Sequence, residues 1–491
     1  MRQHLPFALA TILDRGAYAI LLALLAHAHG LGVQSDIFFA VTTIPAVLMT
    51  VLNDAAFVIV LRIATDPATA PAERWLAIGR NATALALLFL ILGGILALAA
   101  DPLMRLLAPG LNHLAHQQAV ELQRLSAMLI PLQGIGAIFA TVLIGNGRNW
   151  SGAMRLPLSG IAALMWLGVA FALGRNDVAT FIFAQVAAAA LVCLGLGVQL
   201  PILSQGLARP RWPGRQAARD VTIGLGLLGG SSMAANAVVL VERAIAANLG
   251  AGVLSAVSLA RSLVPLLGSL STSVATGWFS LSLARGGTQG QAVDIIRTAR
   301  EMMVLCIAIL TPLMALFLAH SSDVVALLFQ RGNFTTADTD YVQPLAVAFA
   351  ATAPLFAISI PLLRTLQLCK ADAWVLAFTW VTLGLYILLA ITLSEWGARG
   401  LIAAYGVALT LQALAQTTFL VRRLGPGLLD LPILRLALLA AAMAVTLAIS
   451  TRLMPTGWPP LARLTGDGVL TAIVFLLTIR PLALTPGWSK R

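Results

Sequence analysis

The stretch Gly32-Val33-Gln34-Ser35-Asp36-Ile37-Phe38-Phe39-Ala40-Val41-Thr42-Thr43-Ile44-Pro45 is an apolar run that recurs 220 residues further on. There Gly252, Val253, Ser255, Ala260, Val264 and Pro265 repeat Gly32, Val33, Ser35, Ala40, Ile44 and Pro45. The match runs over fourteen residues without a gap, so we read it as an internal duplication rather than a coincidence among common apolar residues.

The rest of the chain supplies the setting. Of 491 residues, 59% are hydrophobic and 10% charged, against roughly 25% charged in an average soluble protein. One membrane span needs about 20 apolar residues, so this composition allows roughly fourteen helices and no sizeable soluble domain. Apolar runs between short polar loops place them near 5–28, 35–63, 77–100, 118–145, 151–173, 178–203, 219–247, 253–283, 297–319, 338–367, 373–393, 398–422, 432–451 and 462–482. Only Gly250-Ala251-Gly252 separates the seventh from the eighth. The first run, interrupted by Asp14 and Arg15 and lacking a small-residue cleavage site, reads as a retained helix and not a signal peptide.

The two copies of the opening stretch lie six helices apart, an even number, so they cross in the same direction, as a parallel repeat does. The expected fold is therefore an all-α polytopic membrane protein of about fourteen helices. It comprises a six-helix lobe over 1–205, a second over 206–425, and a final helix pair with a tail over 426–491. Loops on the side of the termini carry 21 of the Lys and Arg residues, among them Arg209, Arg211, Arg215 and Arg219, and the opposite loops carry 8. This bias places both termini in the cytoplasm. It also accounts for the net charge of +12 without a nucleic-acid partner.

Several formal motifs are set aside. Gly224-Leu225-Gly226-Leu227-Leu228-Gly229 matches a dinucleotide fingerprint but lies in an apolar run, where small residues pack helices. The only lysines, Lys370 and Lys490, follow no phosphate-loop glycines. Cys193, Cys306 and Cys369 read as core residues, and the pairs His27/His29 and His113/His116 as interfacial, with no third metal ligand. No cofactor or metal is expected, and the loops, about fifteen residues at most, argue against an enzyme. Prolines inside the runs, including Pro45, Pro131, Pro265, Pro344, Pro354 and Pro361, point to kinks and moving segments.

Ionisable residues at membrane depth are costly and tend to face a cavity or a partner. They are Asp14 and Arg15 in the first helix, Asp54 in the second, Glu242 and Arg243 in the seventh and Arg261 in the eighth, with Asp36 at the outer entry of the second. Each has a structural alternative as an internal pair or a snorkelling side chain. Arginines in a cavity suit an anionic ligand, because guanidinium grips phosphate oxygens bidentately and stays charged when desolvated.

The run Leu327-Leu328-Phe329-Gln330-Arg331-Gly332-Asn333-Phe334-Thr335-Thr336-Ala337-Asp338-Thr339 closely resembles the L-x-F-x-x-G-x-F-T-x-x-D segment of the MurJ/MviN family of lipid II flippases. Gly32 to Phe39 with Ile44-Pro45 is similar to its G-x-x-x-x-D-A-F-F and I-P-N signature, Ala108-Pro109-Gly110 to its A-P-G-F loop, and Val241-Glu242-Arg243-Ala244-Ile245-Ala246 to its D-R-x-x-A segment. The resemblance implies two six-helix lobes around a central cavity, with a groove for a lipid tail formed by the last two helices. It also implies flipping of an undecaprenyl-diphosphate-linked sugar to the outer leaflet by alternating access, with that lipid-linked glycan and membrane lipids as partners. Carried over by position, Arg15 falls on a cavity arginine, Asp36 on a helix 2 aspartate and Asp54 on a glutamate. The implied substrate-binding residues are thus Arg15, Arg261 and Asp36, and the coupling residues Asp54, Glu242 and Arg243. Where the family carries further arginines this chain has Leu21, Met49, Thr50 and Ser262, with Arg261 next to the last. Export of another polyprenyl-linked sugar, or antiport of drugs or small cations by the same architecture, are the alternatives.

Overall fold

The computed structural model describes residues 5–64, 70–203, 211–224, 226, 229–265, 267–268, 292–369, 371–453, 458–479 and 481–482. Among them every regular element is helical. Hydrocarbon offers backbone groups no hydrogen-bond partner, and a helix satisfies them within one segment. The first helices are α1 (Leu5–His29), α2 (Val33–Ala64), α3 (Pro71–Leu98), α4 (Ala100–Leu107), α5 (His113–Ala127) and α6 (Leu129–Gly145). Next come α7 (Asn149–Ala153), α8 (Arg155–Ala172), α9 (Val178–Gly197), α10 (Gln199–Leu203), α11 (Arg215–Gly224), α12 (Gly230–Asn248) and α13 (Val253–Pro265). The chain continues through α14 (Ala292–Ala319), α15 (Ser321–Phe329), α16 (Thr336–Leu368), α17 (Asp372–Leu393), α18 (Ala398–Leu424), α19 (Ile433–Leu453) and α20 (Pro460–Ile479).

Twelve spans among the described residues are long and apolar enough to cross a membrane. The other two expected helices show why the count differs. The run 219–247 is divided between α11, which ends at Gly224, and α12, which starts at Gly230. With Ser231, Ser232, Asn236, Glu242 and Arg243 in its sequence, α12 is too polar to count as a span by hydropathy. The eighth helix is described through Pro265, and its expected continuation past residue 268 lies outside the described residues.

The chain forms two compact units, 1–255 and 256–491. In the first, α2 packs against α3, α5, α6 and α12, and α9 against α6 and α8. Phe89 of α3 is fully buried in the resulting core, among Met49, Leu52, Ile130 and Ile138. Its ring lies on Gly134 of α6, where a Cβ would collide with it. In the second unit α16 and α17 pack on α18, α14 on α16 and α19, and α20 on α14, α15 and α19.

The segment 327–339 is a helix start. Gly332 turns with φ 60°, a conformation that favours glycine. Phe329 and Phe334 are buried with ring centroids 6.0 Å apart. The Thr335 hydroxyl then accepts from the Asp338 amide at 3.3 Å while the Asp338 carboxylate accepts from the Thr335 amide at 2.7 Å. This reciprocal cap satisfies two of the orphan donors at the start of α16.

The Gly134 contact yields a test. Gly134→Ala is expected to lower stability by about 1–3 kcal/mol through overpacking, and Phe89→Leu in the same chain is expected to restore part of it. Thermal unfolding of the detergent-solubilised single and double variants measures both.

Candidate functional site

The opening stretch places its carboxylate against its own second copy. Asp36, buried in the first turn of α2, accepts from the amides of Gly252 and Ser255, each at 2.7 Å. An amide-bonded carboxylate is a strong cap for a helix start, and here it comes from a helix more than 200 residues away in sequence. Gly252 adopts φ 83° and packs against Leu31. The hydroxyls of the two repeated serines close local turns, Ser35 to the Gly30 carbonyl at 2.8 Å and Ser255 to that of Gly252 at 3.0 Å.

One turn deeper, Arg243 of α12 holds the same helix. Its guanidinium donates to the Phe39 carbonyl at 3.2 Å and to the Thr43 hydroxyl at 2.5 Å, and lies over the Phe39 ring at 5.5 Å. Neighbouring Glu242 is fully buried. Gly110, in the Ala108-Pro109-Gly110 loop, lies so close to the Ala247 carbonyl that a Cβ would stand 2.9 Å from it. Loop, α12 and α2 therefore form one fixed cluster within the first unit.

The remaining expected residues stand elsewhere. Arg15 is exposed near the middle of α1. An arginine there is tolerated where it meets water, headgroups or a polar ligand and not hydrocarbon. Arg261, in the second unit, is half-buried on an aromatic cluster, 4.6 Å from the Tyr405 centroid and 5.6 Å from that of Phe349. Tyr386, fully buried, meets Tyr405 edge-on at 6.2 Å. The rings restrict where the guanidinium points and add cation–π attraction of about 0.5–2 kcal/mol. Asp54 lies within α2, and its side chain is outside the described residues.

The positions where the resemblance implies further arginines are described as well, and they differ in burial. Leu21 and Met49 are 5% and 3% exposed and belong to the apolar core, whereas Thr50 is exposed. Ser262 donates to the Leu259 carbonyl at 2.6 Å.

Two polar features escaped the sequence reading. Arg155, at the start of α8, donates to the Gln133 carbonyl at 3.1 Å and interacts electrostatically with Asp14. In the second unit His320 lies between Asp323 and Asp467, and Ser450 and Arg463 complete the group. Asp467 stands inside the last apolar run, so the rule that marks ionisable residues at membrane depth applies to it as well. His320 carried no such signal because it ends a helix. Outside the spans, the hydrogen bond from His116 holds the Asp101 carboxyl below its ordinary range, helped by Arg105 and opposed by slight desolvation. Burial pushes the Cys369 thiol up, with Arg423 opposing it.

With twelve spans among its described residues, the chain has the architecture of a multi-pass helical membrane protein. A profile of the family described as lipid II flippase MurJ matches residues 25–461, and the chain belongs to that family. Membership makes it a multi-pass inner-membrane protein among flippases and not enzymes. A solved structure of lipid II flippase MurJ in an inward closed conformation is similar over 97% of this chain and 99% of its own, at 16% identity and a TM-score of 0.77. An inward-facing multidrug resistance MATE family transporter of the MOP superfamily aligns over 83% and 94%, at 16% identity and 0.66. A MOP superfamily transporter from Pyrococcus furiosus aligns over 87% and 96%, at 13% identity and 0.60. Among curated protein sequences none matches this chain.

The Asp36 cluster has a direct test. Asp36→Ala leaves the Gly252 and Ser255 amides without their acceptor, a loss of about 1–3 kcal/mol for each buried donor. Hydrogen–deuterium exchange is expected to accelerate at residues 252–256 before it does elsewhere in the chain; uniform acceleration would assign Asp36 to global stability instead.

Proposed function

We propose that the chain moves a polyprenyl-diphosphate-linked glycan, lipid II being the first candidate, from the cytoplasmic to the outer leaflet by alternating access, with both termini cytoplasmic. The observation that carries this reading is the family match over 25–461 together with a MurJ-like fold spanning 97% of the chain.

In this mechanism Arg15 and Arg261 supply the cations that attract the diphosphate. A desolvated charge-assisted contact contributes about 1.5–3 kcal/mol, so each arginine raises affinity about tenfold or more. The aromatic seat of Arg261 supports the role, since it restricts the guanidinium before any ligand arrives. Asp36 takes part through its hold on the Gly252–Ser255 turn, a contact that a change of conformation breaks and remakes without loss of charge. Arg243 keeps α12 on α2 during that change, and Asp54 and Glu242 respond to the coupling cation or proton.

A second reading, export of a different polyprenyl-linked sugar for a surface polysaccharide, is favoured by one observation. Leu21 and Met49, where the resemblance implies arginines, are packed core side chains, and this leaves fewer cations for a diphosphate.

Expression in cells depleted of their own lipid II flippase decides between these readings. Growth is expected to be restored, and Arg15→Ala is expected to abolish rescue while the protein still accumulates in the membrane. Absence of rescue by correctly inserted wild-type protein would sink the lipid II reading and leave the polysaccharide one. The packing also predicts a contrast between neighbours. Met49→Arg buries an unpaired charge and is expected to lower stability by about 3–5 kcal/mol. Thr50→Arg, at an exposed position, is expected to fold and to tighten diphosphate binding about tenfold. Thermal unfolding and binding of a soluble diphosphate analogue to purified protein test the pair.

A further inference from the structure

His320 joins α14 to α15, and both edges of its ring face carboxylates. Nδ1 is 3.2 Å from Asp323 Oδ2 of α15 and Nε2 is 2.5 Å from Asp467 Oδ2 of α20. The other oxygen of each carboxylate is engaged as well. Asp467 Oδ1 accepts from the Ser450 hydroxyl of α19, and Asp323 Oδ1 accepts from Arg463 of α20 at 3.0 Å. Asp467 is 0% exposed and His320 6% exposed. Beyond these groups, α16 contributes the neutral Gln343, bonded to Ser321 at 2.7 Å, and Arg452 of α19 is exposed. Among the described residues no other charged side chain pairs with the cluster.

Counting hydrogens defines its protonation. An ionised carboxylate only accepts, and a neutral imidazole carries a single N–H. A neutral ring between two ionised carboxylates therefore leaves one of its two contacts with lone pairs facing each other and no hydrogen between them. Both contacts are made only if the cluster holds one further proton, on the ring or on a carboxyl. With that proton the group is neutral, with His320 and Arg463 balancing Asp323 and Asp467. Without it one negative charge is left over, centred on a fully buried carboxylate, where an unpaired ion is costly.

We propose that His320 and Asp467 form a proton-binding site whose proton clamps the final helix pair, α19 and α20, onto the α14–α15 junction. The proton belongs to the pair and not to either residue alone. When it leaves, Asp467 loses its partner and the start of α20 loosens from α15, while the apolar contacts of Val304 and Ala308 with Leu439, Met443 and Ile479 keep the pair attached. Folded protein with the clamp closed binds up to one proton more than protein with it open, so raising the pH favours the open form, by at most about tenfold in the equilibrium per pH unit. With the termini inside, as the arginine bias indicates, this end faces outward and the clamp reads external pH. The site is independent of which lipid the protein carries, so its test and the rescue experiment can fail separately.

Asp467→Asn is the informative variant. The new amide donates to His320 Nε2 and accepts the Ser450 hydroxyl on its oxygen, so a neutral ring with its hydrogen on Nδ1 satisfies every contact and no extra proton is required. Between about pH 6 and about pH 9, wild-type melting temperature and exchange protection at the start of α20 are expected to fall, and those of Asp467→Asn to change less. Parallel profiles, or a dependence on sodium concentration in place of pH, would overturn the proposal. Should the variant not fold, the wild type alone still decides. At neutral pH, nitrogen NMR of His320, assigned by the signal lost in His320→Gln, is expected to show an imidazolium, or infrared spectroscopy a protonated carboxyl. A neutral ring with every carboxyl ionised would refute the site.

Discussion

A polar group at membrane depth must find its partner inside the protein, because hydrocarbon offers none. Much of this molecule follows from that requirement. Asp36 is buried where two backbone amides point at it, and those amides belong to a helix start that would otherwise leave them unsatisfied. Arg243 meets the same requirement with a carbonyl, a hydroxyl and a ring face of α2, and Arg155 with the Gln133 carbonyl. Charges that define a soluble protein's surface serve here to join helices.

The two similar stretches differ at the position where this matters most. Asp36 in the first copy corresponds to Ala256 in the second, so only one copy carries a carboxylate and it caps the other. Two equivalent aspartates would place a second buried charge beside a helix start already capped. Packing between apolar faces proceeds by other means, with small residues admitting large ones, as Gly134 admits Phe89 and Gly110 admits the backbone of α12.

The family resemblance and the chemistry rest on different residues. Its most specific segment, 327–339, is a turn, a pair of buried rings and a reciprocal cap, and so describes how α16 begins. The positions where the resemblance implies arginines hold other residues in this sequence, and what that means depends on burial. Leu21 and Met49 have become core, where a guanidinium has no room or partner, while Thr50 remains at a surface.

Composition and run lengths determined by themselves that this is a many-helix membrane protein, because span length and hydrophobicity are local properties. They also marked Asp36, Arg15, Arg243 and Arg261 as residues that need a reason, since the expense of a charge in hydrocarbon is local too. Which reason applies was decided by tertiary structure. The acceptors of Arg243 lie about 200 residues away, the amides that hold Asp36 about 216 to 219, and His320 meets Asp467 across 147. No periodicity encodes such pairs. They exist because folding brings helix ends together, and for Asp467 and His320 it makes one buried proton the condition for closing the last two helices onto the rest of their unit.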